Sequence, residues 1–273
     1  MSEASDAPPS VRTAADRLWD AARTGVPCAP VRDLIDAEDV DAAYAVQQLN
    51  VRRLVEERGW RICGRKIGLT SVAVQEQLGV DRPDFGALFA ELCDRSGGIV
   101  PIDALLQPKV EAEVALVLGA SLDLGSHTLD DVVAATDHAV AALEVVDSRI
   151  EGWDITFVDT VADNASAGRV VLGTEPIALS GIDLVGLEMT MEINGAGASS
   201  GTGAACLGNP LLAAVWLADT MSAAGTPLRA GDIVMTGALG PMAAVRDGDE
   251  VIARMGALGE VRARFATMGG RDG

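Results

Sequence analysis

Apolar positions change period along the chain. Between Val11 and Thr24, and again between Asp39 and Arg58, they recur at helical spacing, with Val40, Tyr44, Val51, Leu54 and Val55 on one face of the second stretch. Two helices are predicted there, the second closed by Gly59, while residues 1–9 are expected to fray. GRKIGLTS (Gly64–Ser71) reads as a short strand running into a turn, then a brief helix capped by Ser71 and ended by Gly79. A turn-rich stretch follows over Asp81–Gly98. Lys109–Leu118 alternates strictly, Val110, Ala112, Val114 and Leu116 against Glu111, Glu113, Ala115 and Val117. Leu129–Ala142 is predicted as helix, and Leu143–Val146, Arg169–Leu172 and Leu187–Ile193 as strands. Asn194-Gly195 is a hairpin signal. Asn209-Pro210 opens a helix to Ala224, closed by Gly225. Asp232–Thr236, Glu250–Met255 and Val261–Phe265 complete the strands.

Helices therefore fill the first quarter and strands the rest, which predicts an α+β fold rather than a doubly wound parallel sheet. The expected organisation is a helical region, residues 1–62, packed on a strand-rich domain, residues 63–273. With 273 residues and 49% apolar content the chain can build a large core without disulfides. Lys plus Arg number 21 against 40 Asp plus Glu, a net charge of −19. That field repels phosphate backbones, so nucleic-acid binding is excluded as the main role; small anions need a local cation to enter. The cysteines, Cys28, Cys63, Cys93 and Cys206, form no CxxC pair and suit neither a zinc site nor a disulfide framework. They read as reduced thiols of a cytoplasmic protein. MSEASDAPPS lacks the apolar stretch of a signal peptide. The uncharged run Ile193–Ala218 is broken by Asn, Ser, Gly and Pro, which predicts a hairpin and a helix start rather than a membrane span.

Glu111 and Glu113, two apart on a strand, leave the same face. Two carboxylates so close repel unless a cation lies between them, and oxygen ligands without His or Cys suit a hard ion such as Mg²⁺ or Mn²⁺; a solvated strand face is the alternative. Glu144, inside the apolar LEVVDSR, is either an exposed alternate or a buried charge needing a partner, and a metal accounts for all three acids. Asp147, on the opposite face, is expected to pair with Arg149. One of Arg65 and Lys66 must face inward; Lys66 near a metal can exchange protons, against the alternative of an exposed lysine. Asp84, in RPDFGALF, is a general acid/base or a turn-former. Ser166, in DNASAG, can hydrogen-bond a substrate carboxylate or hold its loop. The glycines at 195, 197, 201 and 203 lack nucleotide-loop spacing. With only His127 and His138, histidine-based chemistry has little room.

Taken together, GRKIGLTS, QEQLGVDRPDFGALF, QPKVEAEVALVL, ALEVVDSRI, FVDTVADNASAG and GDIVMTGALGPM resemble the 2-hydroxypenta-2,4-dienoate hydratases of the fumarylacetoacetate hydrolase superfamily, in the same order from Ala29 to Phe265. The resemblance implies a mixed β-sandwich roll preceded by helices. It also implies a divalent metal, Mg²⁺ or Mn²⁺, on Glu111, Glu113 and Glu144, with Lys66 and Asp84 as proton carriers and Ser166 and Leu78 as substrate-binding residues. The implied reaction hydrates a small anionic 2-hydroxydienoate to 4-hydroxy-2-oxopentanoate, in meta-cleavage of aromatic compounds. Substrate carboxylate and 2-oxygen would chelate the metal, carbon 5 gains a proton, water adds at carbon 4, and carbon 3 is reprotonated. A homo-oligomer is implied too, with a complex to a downstream aldolase or related decarboxylase as a further partner.

Three rivals stay open. Related 4-oxalocrotonate decarboxylases share most of these motifs. Hydrolysis of an acylpyruvate is weakened by the absence of a histidine within them. A non-catalytic partner subunit of a hydratase–decarboxylase complex is opposed by the intact acidic triad.

Overall fold

The Asp39 side chain accepts the Ala42 N–H at 2.9 Å and so fixes where the second helix begins. The structure, a computed structural model, describes residues 7–71, 75 and 80–269. Helices α1 (Pro9–Thr24) and α2 (Val40–Arg58) form where the apolar spacing predicts. Their buried residues, Val11, Leu18, Ala43 and Val46 among them, share a core with Ile150, Val158 and Val161.

Thirteen strands occur among the described residues: β1 (Ile62–Gly68), β2 (Asp84–Phe89), β3 (Cys93–Arg95), β4 (Ile99–Pro101), β5 (Pro108–Leu118), β6 (Thr136–Asp147), β7 (Ala167–Leu172), β8 (Glu188–Ile193), β9 (Ala196–Thr202), β10 (Ile233–Ala238), β11 (Ala243–Ala244), β12 (Glu250–Arg254) and β13 (Glu260–Ala266). Helices α3 (Leu129–Ala135), α4 (Phe157–Ala162) and α5 (Pro210–Ala223) lie between them. One sheet runs β2-β1-β10-β5-β6-β7-β3 with β11 beside β5, and the other runs β4-β13-β12-β8-β9. Both are mixed, because β1–β10, β3–β7 and β4–β13 pair parallel and the other pairs antiparallel. This is the α+β architecture of helices followed by a mixed β-sandwich roll.

The alternation in β5 sorts its residues. Val110, Ala112, Val114 and Leu116 join Ala139, Ala141, Leu143 and Val145 of β6, Met189 and Met191 of β8, Val251 of β12, Phe265 of β13 and Leu217 of α5 in the main core. The other face of the same strands carries Glu111, Glu113 and Glu144. Asn209 caps α5 by accepting the Leu211 N–H at 2.9 Å, and Pro210 opens it, as predicted. The stretch Gly203–Ala223 is long and apolar enough by composition to cross a membrane, but within it Ala213, Leu217 and Met221 are buried in the main core.

Two expectations fail. Only Leu129–Ala135 of the helix predicted over Leu129–Ala142 is helical; a capping box between Thr128 and Asp131 starts it, and Thr136 begins β6. Alanines, strong helix formers, fill β6 because it runs between β5 and β7 and is buried throughout Ala139–Asp147. The stretch Asp81–Gly98 holds β2 and β3 rather than turns alone. Of the brief helix expected over Ser71–Gly79, most lies outside the described residues; Gln75 is helical and its N–H meets the Ser71 carbonyl at 3.0 Å.

Candidate metal and acid–base site

Strand register assembles the acids. Glu111 of β5 sits directly opposite Glu144 of β6, and Glu113 is one pleat further on the same face. Carboxylate oxygens of the three lie within 4.8 Å of one another. Glu113 is fully buried and Glu144 is 1% exposed, whereas Glu111 is half-buried. The solvated strand face is thereby excluded. Gly237 donates its N–H to Glu113 Oε2 at 2.8 Å. Glu113 Oε1 and both Glu144 oxygens are buried without a hydrogen bond.

Lys66 is 3% exposed, which corrects the exposed alternative. Its Nζ stands 3.1 Å from Glu144 Oε1, an ion pair lacking hydrogen-bond alignment, and donates to the Ala165 carbonyl at 2.8 Å. Asp84 is not a turn-former. It opens β2, pairs with Gly68 of β1, and is 1% exposed with Oδ1 unpartnered. A Cβ on Gly68 would lie 2.2 Å from Asp84 Oδ1 and 3.3 Å from Lys66 Nζ, so glycine there leaves the room both groups use.

Burial without compensation shows in the proton affinities. Burial first, then the Glu144 charge, pushes Glu111 up to about 7. The same causes push Glu113 well above the carboxylate range. Asp84 is raised by burial, against the pull of Lys66. Burial alone would discharge Lys66, but the surrounding carboxylates, Glu144 first, hold its pKa above the ordinary lysine range. Four carboxylates face one ammonium. A hard divalent cation fits this donor set, because it would partner the orphaned oxygens and cancel repulsion that packing cannot.

The DNASAG segment shapes the floor. Asn164, Ala165 and Ser166 all take left-handed backbone angles, with φ of 55°, 52° and 52°, at about 1–2 kcal/mol per non-glycine residue. Asn164 clamps β2 in both directions: Ala87 N–H donates to Oδ1 at 2.8 Å, and Nδ2 donates to the Ala87 carbonyl at 3.0 Å. A Cβ on Gly86 would lie 2.4 Å from the Asn164 carbonyl. The turn thus delivers the Ala165 carbonyl to Lys66 and buries Ser166, whose Oγ is 3.5 Å from Thr160 Oγ1.

Arg149 pairs with Asp163 rather than with Asp147, which corrects the expected pairing. Asp147 instead accepts the Leu106 and Gln107 N–H groups at 2.9 and 2.6 Å, since its face of β6 meets that loop. Leu78 lies outside the described residues. His127 and His138 pair with Asp219 and Asp137, away from the acids. A cavity of about 560 Å³ touches the site at Glu144 and Asn164 and extends to Trp19, Arg58 and Cys93; Lys66 and Asp84 do not line it. Asn164 and Thr160 escaped the sequence reading. DNASAG itself was the signal, but three consecutive left-handed residues leave no mark when none is glycine.

The profile of the Fumarylacetoacetate (FAA) hydrolase C-terminal family matches residues 68–266. A 2-keto-4-pentenoate hydratase of Burkholderia vietnamiensis is 55% identical over 256 residues, 94% of this chain and 97% of the relative. The TodF product hydratase of Pseudomonas putida is 53% identical, covering 94% and 96%. Among solved structures, 4-oxalocrotonate decarboxylase from Pseudomonas putida G7, complexed with magnesium and adipate, superposes with a TM-score of 0.88 at 37% identity, covering 93% of this chain and 97% of that one.

Proposed function

Because the chain belongs to the fumarylacetoacetate hydrolase family, we propose that it is a metal-dependent hydratase converting 2-keto-4-pentenoate, through its dienol tautomer 2-hydroxypenta-2,4-dienoate, to 4-hydroxy-2-oxopentanoate. One observation carries the reading: three carboxylates converge within 4.8 Å, with buried, unpartnered oxygens, beside a buried lysine. Glu111, Glu113 and Glu144 would hold the cation, Mg²⁺ or Mn²⁺, which when bound polarises the 2-oxygen of the substrate as a Lewis acid.

The chain's own residues do the rest. Lys66 keeps its proton because carboxylates surround it, and Asp84 accepts one readily because it is buried. These two share the protonations at carbons 5 and 3, while water adds at carbon 4. Ser166, buried on the left-handed turn, donates to the substrate carboxylate. Exposed Leu129 and Val133 on α3 and Leu212 on α5 are apolar surface for a homo-oligomer.

Decarboxylation of 4-oxalocrotonate is the second reading, favoured by the superposition with that decarboxylase; the hydratases are more similar in sequence, at 55% against 37% identity. Product analysis decides. Incubation with the dienoate and Mg²⁺ is expected to give 4-hydroxy-2-oxopentanoate, and 4-oxalocrotonate no carbon dioxide. Carbon dioxide release with an untouched dienoate overturns the proposal.

A further inference from the structure

Cys63 and Cys93, which are 30 residues apart in sequence, place their sulfurs 3.5 Å apart. Cys63 lies near the start of β1, and Cys93 opens β3, the edge strand beyond β7. Both are half-buried, both pack on the small cluster of Leu88, Ala115, Val140, Val170 and Met235, and Cys93 lines the 560 Å³ cavity. The Cys93 thiol has two acceptors in reach, the Cys63 sulfur and the Phe89 carbonyl at 3.4 Å. Neither residue touches the proposed reaction. Cys28 and Cys206 have no sulfur partner, and Cys206 is buried against the Thr236 carbonyl.

We propose that Cys63 and Cys93 form a dithiol site that hydrogen peroxide oxidises to an intramolecular disulfide. The sulfurs need to close from 3.5 Å to about 2 Å, a short approach between two half-buried side chains. The Cys63 thiolate attacks one peroxide oxygen and the O–O bond breaks. Cys63 becomes a sulfenic acid, and the departing oxygen leaves as water after taking a proton. Cys93 sulfur then attacks Cys63 sulfur; the S–O bond breaks, the Cys93 proton goes to the leaving hydroxide, and a second water departs. Two thiols lose two electrons and the peroxide gains them. The contact with Cys93 supports the order of attack, since it holds the Cys63 thiol below its usual range. The product bond would tie β1, which carries Lys66, to the opposite margin of the rolled sheet.

The experiment treats the full-length protein with equimolar hydrogen peroxide, alkylates it under denaturing, non-reducing conditions, and maps tryptic peptides. Two of the four thiols are expected to become inaccessible, and residues 62–65 are expected to be joined to residues 67–95, the Arg82–Pro83 bond resisting trypsin. Dithiothreitol should restore both thiols. In Cys93→Ser, Cys63 should accumulate sulfenic acid trapped by dimedone, and Cys28→Ser should leave the cross-link intact. Separate sulfinic acids on the unlinked cysteines, a cross-link to Cys28 or to a second chain, or four thiols still free would each overturn the proposal. The wild-type peptide map reports by itself if a variant fails to fold.

Discussion

Strands β5 and β6 bury both of their faces, and the two faces are buried for opposite reasons. On one, Val110, Ala112, Val114 and Leu143 are wholly excluded from water and belong to the main apolar core. On the other, at the same depth, Glu113 and Glu144 hold oxygens without a hydrogen bond, one of them ion-paired to Lys66. Burial of the first face is a driving force. Burial of the second costs several kcal/mol per charge unless a partner is supplied. Such a cost is tolerated where the partner is a ligand, so depth alone says little and the mismatch between depth and satisfaction marks the site.

The contrast breaks most completely when the cation is removed. Chelation is expected to abolish turnover, and returning Mg²⁺ or Mn²⁺ at a hundred times its dissociation constant should add about 2.7 kcal/mol of stability, read as a rise in Tm. A pH signature follows. Glu111, pushed up to about 7 from an ordinary 4.5, binds protons in the folded metal-free chain that the unfolded chain has lost. Metal-free stability should therefore fall as pH rises from 4.5 towards 7, and added cation should remove that fall. Glu113→Gln and Glu144→Gln should each weaken metal binding in calorimetry. If both bind Mg²⁺ as the parent does, the ligand assignment fails.

Next in size are Lys66→Ala and Asp84→Asn, each expected to lower kcat by about 10²–10⁴-fold with the metal still bound. Deuterium incorporation at carbons 3 and 5 separates the two protonations. Near-normal kcat with both carbons labelled would remove these residues from the chemistry. The opposite face should behave in reverse: Leu143→Ala is expected to cost about 2–5 kcal/mol of stability with kcat per folded molecule retained. A fall in kcat there comparable to that of Lys66→Ala would show that the faces are not separable.

Much of this was legible in the sequence because it is written in periods of two and of three to four. Alternation in Lys109–Leu118 placed Glu111 and Glu113 on one face, and the register then set Glu144 against Glu111. Asn209-Pro210 and Asn194-Gly195 are local signals, and their elements form where predicted. The failures are long-range. Ala139–Ala142 read as helix because alanine prefers it, and only two flanking strands make it a strand. Lys66 and Asp84 each had an ordinary local explanation, exposure or a turn, until packing closed over them. Asp163 won Arg149 from Asp147 through the fold of a loop. The proximity of Cys63 to Cys93 depends on the pairing of Ile62 with Phe89 and on the turn over 90–92 that follows it, which no spacing encodes.

The smallest expected effect sharpens the comparison most, because Asn164 belongs to neither face. Its amide closes two hydrogen bonds on Ala87, one in each direction, and holds a turn of three left-handed residues that presents the Ala165 carbonyl to Lys66. Removal of the amide leaves the strained turn without its tether and a partly buried backbone pair without partners, at a cost of about 1–3 kcal/mol. Asn164→Ala should therefore lose stability on that scale. If the turn positions Lys66, kcat should also fall on the order of tenfold with KM little changed, since a small misplacement near the chemistry is enough. Asn164→Asp keeps the acceptor for the Ala87 N–H and loses the donor to its carbonyl, so it should fall between the two. A purely structural role predicts the same stability loss with kcat per folded molecule intact in both variants; that result would leave Lys66 held by Glu144 and β1 alone.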